Sequence, residues 1–122
     1  MYLFWYNIIM KKITSLFYVS ANENKPVREW LLGLSKEDRK IVGDDIKTVE
    51  YGFPIGMPVC KRLDSKLYEV RSNISDKRIA RVIFTVELGY MILLNGFIKK
   101  TQKTPKNEID LALKRAKDIK WT

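Results

Sequence analysis

Four cationic residues in the second half of the chain have the types and spacing to act on a phosphate. Arg71 and Arg81 lie among apolar residues, in LYEVR and ARVIF, and Lys99 and Lys100 follow a hydrophobic run. Arginine holds phosphate oxygens with a fork of N–H donors, and a lysine whose pKa is lowered by neighbouring cations can accept a proton. Such a group could cleave RNA without a metal, by deprotonating a ribose 2′-hydroxyl and neutralising the phosphate. The alternative is structural: Arg71 would pair with Glu69 or another carboxylate, and the two lysines would be a solvated strand end.

Further candidates for RNA binding lie on both sides of this group. Lys61 and Arg62 precede LYEVR, and Lys103 continues the lysine series in a stretch without any acidic residue from 88 to 107. Phe97 could stack on a base, which tolerates any sequence. The alternatives are solvated positions for the three cations and a core position for Phe97.

The charge of the chain is uneven along its length. The net charge is +9, and residues 61–122 hold 15 basic and 7 acidic residues, whereas residues 1–60 are almost balanced. This asymmetry favours a polyanionic partner such as RNA, DNA or an acidic protein.

The chain contains no histidine, which excludes Ser-His-Asp and Cys-His catalysis and argues against a zinc site. The single cysteine, Cys60, excludes an internal disulfide and fits a reducing, cytoplasmic compartment.

Hydrophobic periodicity predicts the elements that position these residues. Short alternating or apolar runs predict strands, and i, i+3, i+4 spacing predicts three helices. Ser35 with Asp38 resembles a helix cap, Gly52 suits a helix end, and Thr104-Pro105 is typical of the start of a last helix. The predicted elements are strands at 13–19, 67–71, 79–86 and 90–98, and helices starting near 26, 35 and 105.

This order predicts an α+β domain of β-α-α-β-β-β-α topology. We expect a small, mainly antiparallel sheet with a helical hairpin on one face, so that Arg71, Arg81 and the end of the last strand share an open opposite face. The domain is expected to span residues 10–122. Residues 1–9 are expected to be an extension outside it, since they are too short to cross a membrane and lack a basic segment before the apolar run. A short extra strand or a partner contact is the competing interpretation of these nine residues.

The motifs PVREWLLGL, LYEVR, ARVIF and LLNGFIKKTQKTP together resemble the HigB-like branch of the RelE/ParE toxin superfamily, a group that includes phage-derived toxin-like proteins. The resemblance covers about residues 11–116. It implies a RelE-like fold and the toxin of a type II toxin–antitoxin system that cleaves mRNA on the ribosome and is neutralised by a helix-turn-helix, HigA-like antitoxin. It implies no cofactor or metal. It also implies that Arg71 and Arg81 bind phosphate and that Lys99 and Lys100 are the basic pair of the C-terminal motif. Lys61 lies where relatives carry a basic residue before the LYEVR strand.

Asn95 departs from this resemblance. Many relatives have histidine at this position, and asparagine can orient a substrate but cannot transfer a proton. Two other functions therefore remain open: a toxin of the same fold that targets DNA gyrase, and a catalytically weak module that binds RNA.

Overall fold

The computed structural model describes residues 10–99 and 103–119 of the 122-residue chain. The expected extension at residues 1–9 and the candidate Lys100 lie outside these ranges. In chain order the elements are β1 (Thr14–Phe17), α1 (Pro26–Leu32), α2 (Lys36–Gly52), β2 (Cys60–Arg62), β3 (Tyr68–Ile74), β4 (Arg78–Glu87), β5 (Tyr90–Lys99) and α3 (Lys106–Lys117). A short 3₁₀ turn, Ser75–Lys77, joins β3 to β4.

The five strands form one mixed sheet in the order β1-β5-β4-β3-β2. β1 runs parallel to β5, and each of the other neighbouring pairs is antiparallel. The predicted α+β class and mainly antiparallel sheet are therefore confirmed. β2 was not predicted, because its three residues are too few to show an alternating pattern. β3 extends three residues beyond its predicted end, because Ser72 and Asn73 are typical of loops but continue the strand.

The helices cover both faces of the sheet. α1 packs mainly on β5, and α2 packs on β3. Their apolar side chains, such as Val27 and Val42, share one core with Val70 and Val82 of the sheet. α3 packs on β5 and β4 from the opposite side, where a second apolar cluster contains Ala112. The molecule thus has three layers, and the prediction that the face opposite the helical hairpin is open is wrong where α3 lies.

Local sequence signals explain where several elements begin and end. The Ser35 hydroxyl accepts a hydrogen bond from the Asp38 backbone N–H at 3.1 Å, so the predicted cap of α2 is confirmed. The turn between β4 and β5 has positive φ at Leu88 (52°) and Gly89 (80°), as a two-residue hairpin turn requires. Within the described ranges, no helix has the length and apolar character needed to cross a lipid bilayer.

Candidate phosphate-binding site

Strand pairing brings the two predicted arginines together. Arg71 on β3 lies opposite Arg81 on β4, and Arg81 lies opposite Phe97 on β5. Residues directly opposite each other in antiparallel strands have Cα atoms about 4.5–5.5 Å apart and side chains on the same face. The two guanidinium groups therefore lie on one face of the sheet, opposite the helical hairpin, as alternation in LYEVR and ARVIF predicted. This face is the one on which α3 packs.

Both arginines are buried. Arg71 is 8% exposed and Arg81 is 0% exposed, so neither presents an open guanidinium fork at the surface. Burial lowers the pKa of Arg81; the neighbouring Glu69 carboxylate opposes this shift and the Arg71 cation adds to it. Arginine nevertheless stays charged in proteins, so the site holds two cations in a region of low dielectric constant.

A buried carboxylate partly neutralises this pair. Glu69 is fully buried, and its Oε1 accepts a hydrogen bond from Arg71 Nε at 2.7 Å. Its Oε2 accepts a second hydrogen bond of 2.7 Å from the Thr104 hydroxyl. The structural alternative for Arg71, a salt bridge with Glu69, is thus present. Thr104 does not cap the last helix as predicted, since Pro105 is at the N-cap and the hydroxyl is used across the sheet.

Asn95 and Phe97 are interior residues of the same face. The Asn95 amide Nδ2 donates to the Glu108 side chain (Oε1, 3.0 Å) and backbone carbonyl (3.3 Å), which joins β5 to the first turn of α3. The Phe97 ring is 9% exposed and belongs to the apolar cluster beneath α3. A buried ring cannot stack on a base unless it leaves the core, so the structure has the core position that was the alternative for Phe97.

The exposed cations lie around the buried group formed by Glu69, Arg71 and Arg81, which we call the buried centre. Lys99 is exposed and lies opposite Ile79, which lies opposite Asn73. These three residues form the next row on the same face of the sheet, two residues along each strand from the row of the arginines. We call this row the open row, because Asn73 and Lys99 are exposed and Ile79 is half-buried. Lys103, just before Thr104, is exposed as well.

Lys61 and Arg62 lie at the far edge of the sheet, on β2. Lys61 is half-buried and lies opposite Glu69 on β3, which places it on the same face as the arginine pair. Arg62 is exposed, and its Nε donates to the backbone carbonyl of Asp64 at 3.1 Å. The structure therefore brings Lys61 near the site and turns Arg62 to the opposite face.

The remaining candidate chemistry is limited. Burial raises the pKa of the Cys60 thiol to about 11, with a further contribution from Glu69, so this cysteine is protonated and unreactive, as its passive role predicts. In residues 10–99 and 103–119, no group of three or more histidine, cysteine, aspartate or glutamate side chains lies close enough to hold a metal ion.

Sequence reasoning missed three residues of this site as functional participants: Glu69, Thr104 and Glu108. Glu69 had a detectable signal, because alternation places it on the same side of β3 as Arg71. Thr104 and Glu108 had none, since their partners are 35 and 13 residues away in the chain.

Comparison with known protein families identifies a match for most of the chain. Residues 29–117 match the family described as phage derived protein Gp49-like (DUF891). The matched region runs from α1 to the end of α3 and includes every described residue of the buried centre and the open row. No curated protein matches the sequence.

Proposed function

Because the chain belongs to the Gp49-like family of phage-derived proteins, a toxin-like family of RelE/HigB type, we propose that it is the toxin of a type II toxin–antitoxin system and cleaves mRNA on the ribosome. The ribose 2′-hydroxyl loses its proton and attacks the adjacent phosphate, the P–O5′ bond breaks, and the 5′ oxygen leaves and is protonated. The products are a 2′,3′-cyclic phosphate and a 5′-hydroxyl end, and no metal takes part. A helix-turn-helix antitoxin neutralises the toxin in the cytoplasm.

The observation that carries this proposal is the register of the central strands. Arg71 and Arg81 are adjacent on one face, and Lys99 belongs to the next row on that same face. The two guanidinium groups and the Glu69 carboxylate lie in a buried region, where little water screens the attraction between an arginine and an anion. Lys99, which is exposed, is the proposed proton acceptor, and Lys103 and Lys61 are proposed to contact the RNA backbone.

Mapping of mRNA 5′ ends after brief induction tests this function. Wild type should arrest growth and create new 5′ ends, and Lys99→Ala should reduce cleavage by roughly 10²–10³, the cost of losing one group that acts in the transition state. Lys47→Ala is the matched control, because Lys47 is an exposed lysine of α2 on the opposite side of the sheet. Intact transcripts and normal growth with the wild-type protein would refute the proposal, and DNA breaks with intact transcripts would indicate gyrase as the target.

A second candidate function, an RNA-binding module without cleavage, is favoured by one observation. Arg71 is paired with Glu69, and Asn95 is used to hold α3, so both groups have structural roles in the resting protein. This candidate predicts salt-sensitive RNA affinity and no new 5′ ends, even when ribosomes are present.

A further inference from the structure

The Glu69 carboxylate is held like a ligand inside the site. Both of its oxygens accept short hydrogen bonds of 2.7 Å, one from Arg71 Nε and one from Thr104 Oγ1. These donors come from different parts of the chain, since Arg71 is on β3 and Thr104 lies between β5 and α3. The carboxylate is fully buried, so its contacts are with protein groups rather than with bulk water.

A carboxylate and a phosphate compete for the same donors. Arginine binds both through the same fork of N–H groups, with charge-assisted bonds of similar length. Arg71 and Arg81 are neighbours across β3 and β4, and two like charges at such positions repel each other unless an anion lies close by. Glu69 provides that anion from within the chain.

We propose that Arg71 and Arg81 form an oxyanion-binding site that Glu69 fills as an internal ligand, and that the Thr104 hydroxyl holds Glu69 in place. A phosphate group must displace the Glu69 carboxylate before it reaches the arginines. The inference rests on the proposed function only for the identity of the natural anion, a phosphate of RNA. The resting protein consequently has a low affinity for free phosphate, and release of Thr104 opens the site.

Titration with inorganic phosphate tests the internal competitor directly. The full-length Glu69→Gln variant keeps the shape of the side chain but removes its charge. Phosphate should bind this variant about 10- to 100-fold more tightly than wild type, which is the range expected when one competing charge-assisted hydrogen bond is lost. Binding is followed by NMR shifts of the arginine Nε–H groups and by the phosphate-induced rise of the unfolding midpoint.

Asp110→Asn is the matched charge control for this experiment. Asp110 is exposed on α3 and forms a surface ion pair with Lys106 at 3.4 Å. Its substitution by asparagine changes the net charge by the same amount as Glu69→Gln. It should leave phosphate affinity within about twofold of wild type. In the Glu69→Gln background, the further change Arg71→Lys should abolish most of the increase in phosphate affinity, because lysine lacks the planar set of N–H donors of a guanidinium group.

Thr104→Val tests the proposed role of the hydroxyl and remains informative if Glu69→Gln does not fold. It removes one donor to Glu69 while keeping a β-branched side chain, and phosphate affinity should rise by about 3- to 10-fold. Thr85→Val is its control, since the Thr85 hydroxyl is also buried and donates a hydrogen bond of 2.8 Å, but to Lys66 O. Equal phosphate affinity of the wild-type, Glu69→Gln and Thr104→Val proteins would overturn the proposal, as would equal gains in the Thr104 and Thr85 variants.

This test is separate from the test of RNA cleavage. Phosphate titration uses neither RNA nor ribosomes, so the oxyanion site can be demonstrated in a protein that cleaves nothing. Conversely, mRNA cleavage without any effect of Glu69→Gln on phosphate binding would retain the proposed function and reject the internal competitor.

Discussion

Two buried carboxylates, Asp38 and Glu69, organise polar residues on opposite sides of the sheet. Glu69 contacts Arg71 and Thr104 under α3, as described above. Asp38 lies in the first turn of α2, where its Oδ1 accepts from the Ser75 backbone N–H at 3.1 Å and its Oδ2 from the Ser75 hydroxyl at 2.9 Å. Its Oδ2 also pairs with Arg78 Nη2 at 3.0 Å. Asp38 therefore ties α2 to the turn that joins the two arginine-bearing strands.

We predict that Asp38→Asn destabilises the fold in a pH-dependent way. Hydrogen bonds from Ser75, above all from its backbone N–H, lower the pKa of Asp38 below its ordinary value of 3.8. A carboxyl with a lower pKa in the folded state stabilises the protein above the pKa of the unfolded chain, and this contribution is lost as the pH falls through the folded value. The difference in unfolding midpoint between wild type and variant should be full above about pH 5 and should shrink below about pH 4.

Asp44→Asn provides the control for this prediction on the same helix. Asp44 is exposed and pairs with Lys40 at 2.8 Å, so its loss should change the unfolding midpoint little. A difference between the Asp38 variant and wild type that persists unchanged at pH 2.5 would contradict the assigned role of the Asp38 charge.

At the scale of the elements, α1 and β5 approach each other closely where Trp30 packs on Gly96. Gly96 lies on the α1 side of β5, opposite Val82, and the Trp30 ring lies directly over it. A Cβ atom at position 96 would come within 2.7 Å of Trp30 Cδ2 and 2.8 Å of Cζ3. The glycine in LLNGF is therefore required for packing between a helix and a strand rather than for a turn.

We predict that Gly96→Ala lowers the free energy of unfolding by about 1–3 kcal/mol, because overpacking forces the Trp30 ring or the β5 backbone to shift. The matched substitution is Gly43→Ala in α2, where the added Cβ meets no atom within 4 Å and the residue is exposed. That change should raise stability by about 0.5–1 kcal/mol, since alanine is the better helix former. Chemical denaturation of the two variants and wild type measures both values, and equal effects would show that Trp30 does not constrain position 96.

α3 covers the face of the sheet that carries Arg71 and Arg81, which the sequence motifs predicted to be open. It is joined to β5 by Asn95 and by Arg115, whose Nη1 donates to the Leu94 carbonyl at 2.8 Å. Its apolar face was visible from the spacing of Ile109, Ala112 and Leu113. The face of the sheet on which it packs was not visible, and this face is the one that holds the arginine pair.

At the scale of the whole molecule, the positive charge is concentrated in the half of the chain that builds β2 to β5 and α3. Residues 61–122 hold 15 of the 23 basic residues. The buried arginines account for only two of them, so most of the attraction for a polyanion comes from exposed lysines such as Lys99 and Lys103. Long-range attraction is thus assigned mainly to exposed lysines, of which Lys99 also has a proposed role in the chemistry of the site.

We predict that the affinity for single-stranded RNA depends steeply on salt and that Lys99 and Lys103 contribute to this dependence. If each contacts one phosphate, the double variant Lys99→Ala, Lys103→Ala should reduce the slope of log K against log salt by about 1.4. The control is Lys36→Ala with Lys47→Ala, two exposed lysines of α2, and its slope should match wild type. Fluorescence anisotropy over a range of salt concentrations gives the slopes, and equal slopes for all three proteins would exclude these two lysines from the RNA interface.

The amino-acid sequence by itself determined the α+β class, most of the helices and strands, the cap of α2 and the placement of Arg71 and Arg81 on one face, because these features follow from local periodicity and short-range hydrogen bonding. Only the tertiary structure decided that this face is covered, that Glu69 and Thr104 meet beside Arg71, that Phe97 and Asn95 are interior, and that Gly96 is required by Trp30. The physical reason is that burial and long-range hydrogen bonds depend on which elements pack together, and that packing joins residues far apart in the chain, such as Glu69 and Thr104, which are 35 positions apart. The periodicity of a single element contains no information about such a partner.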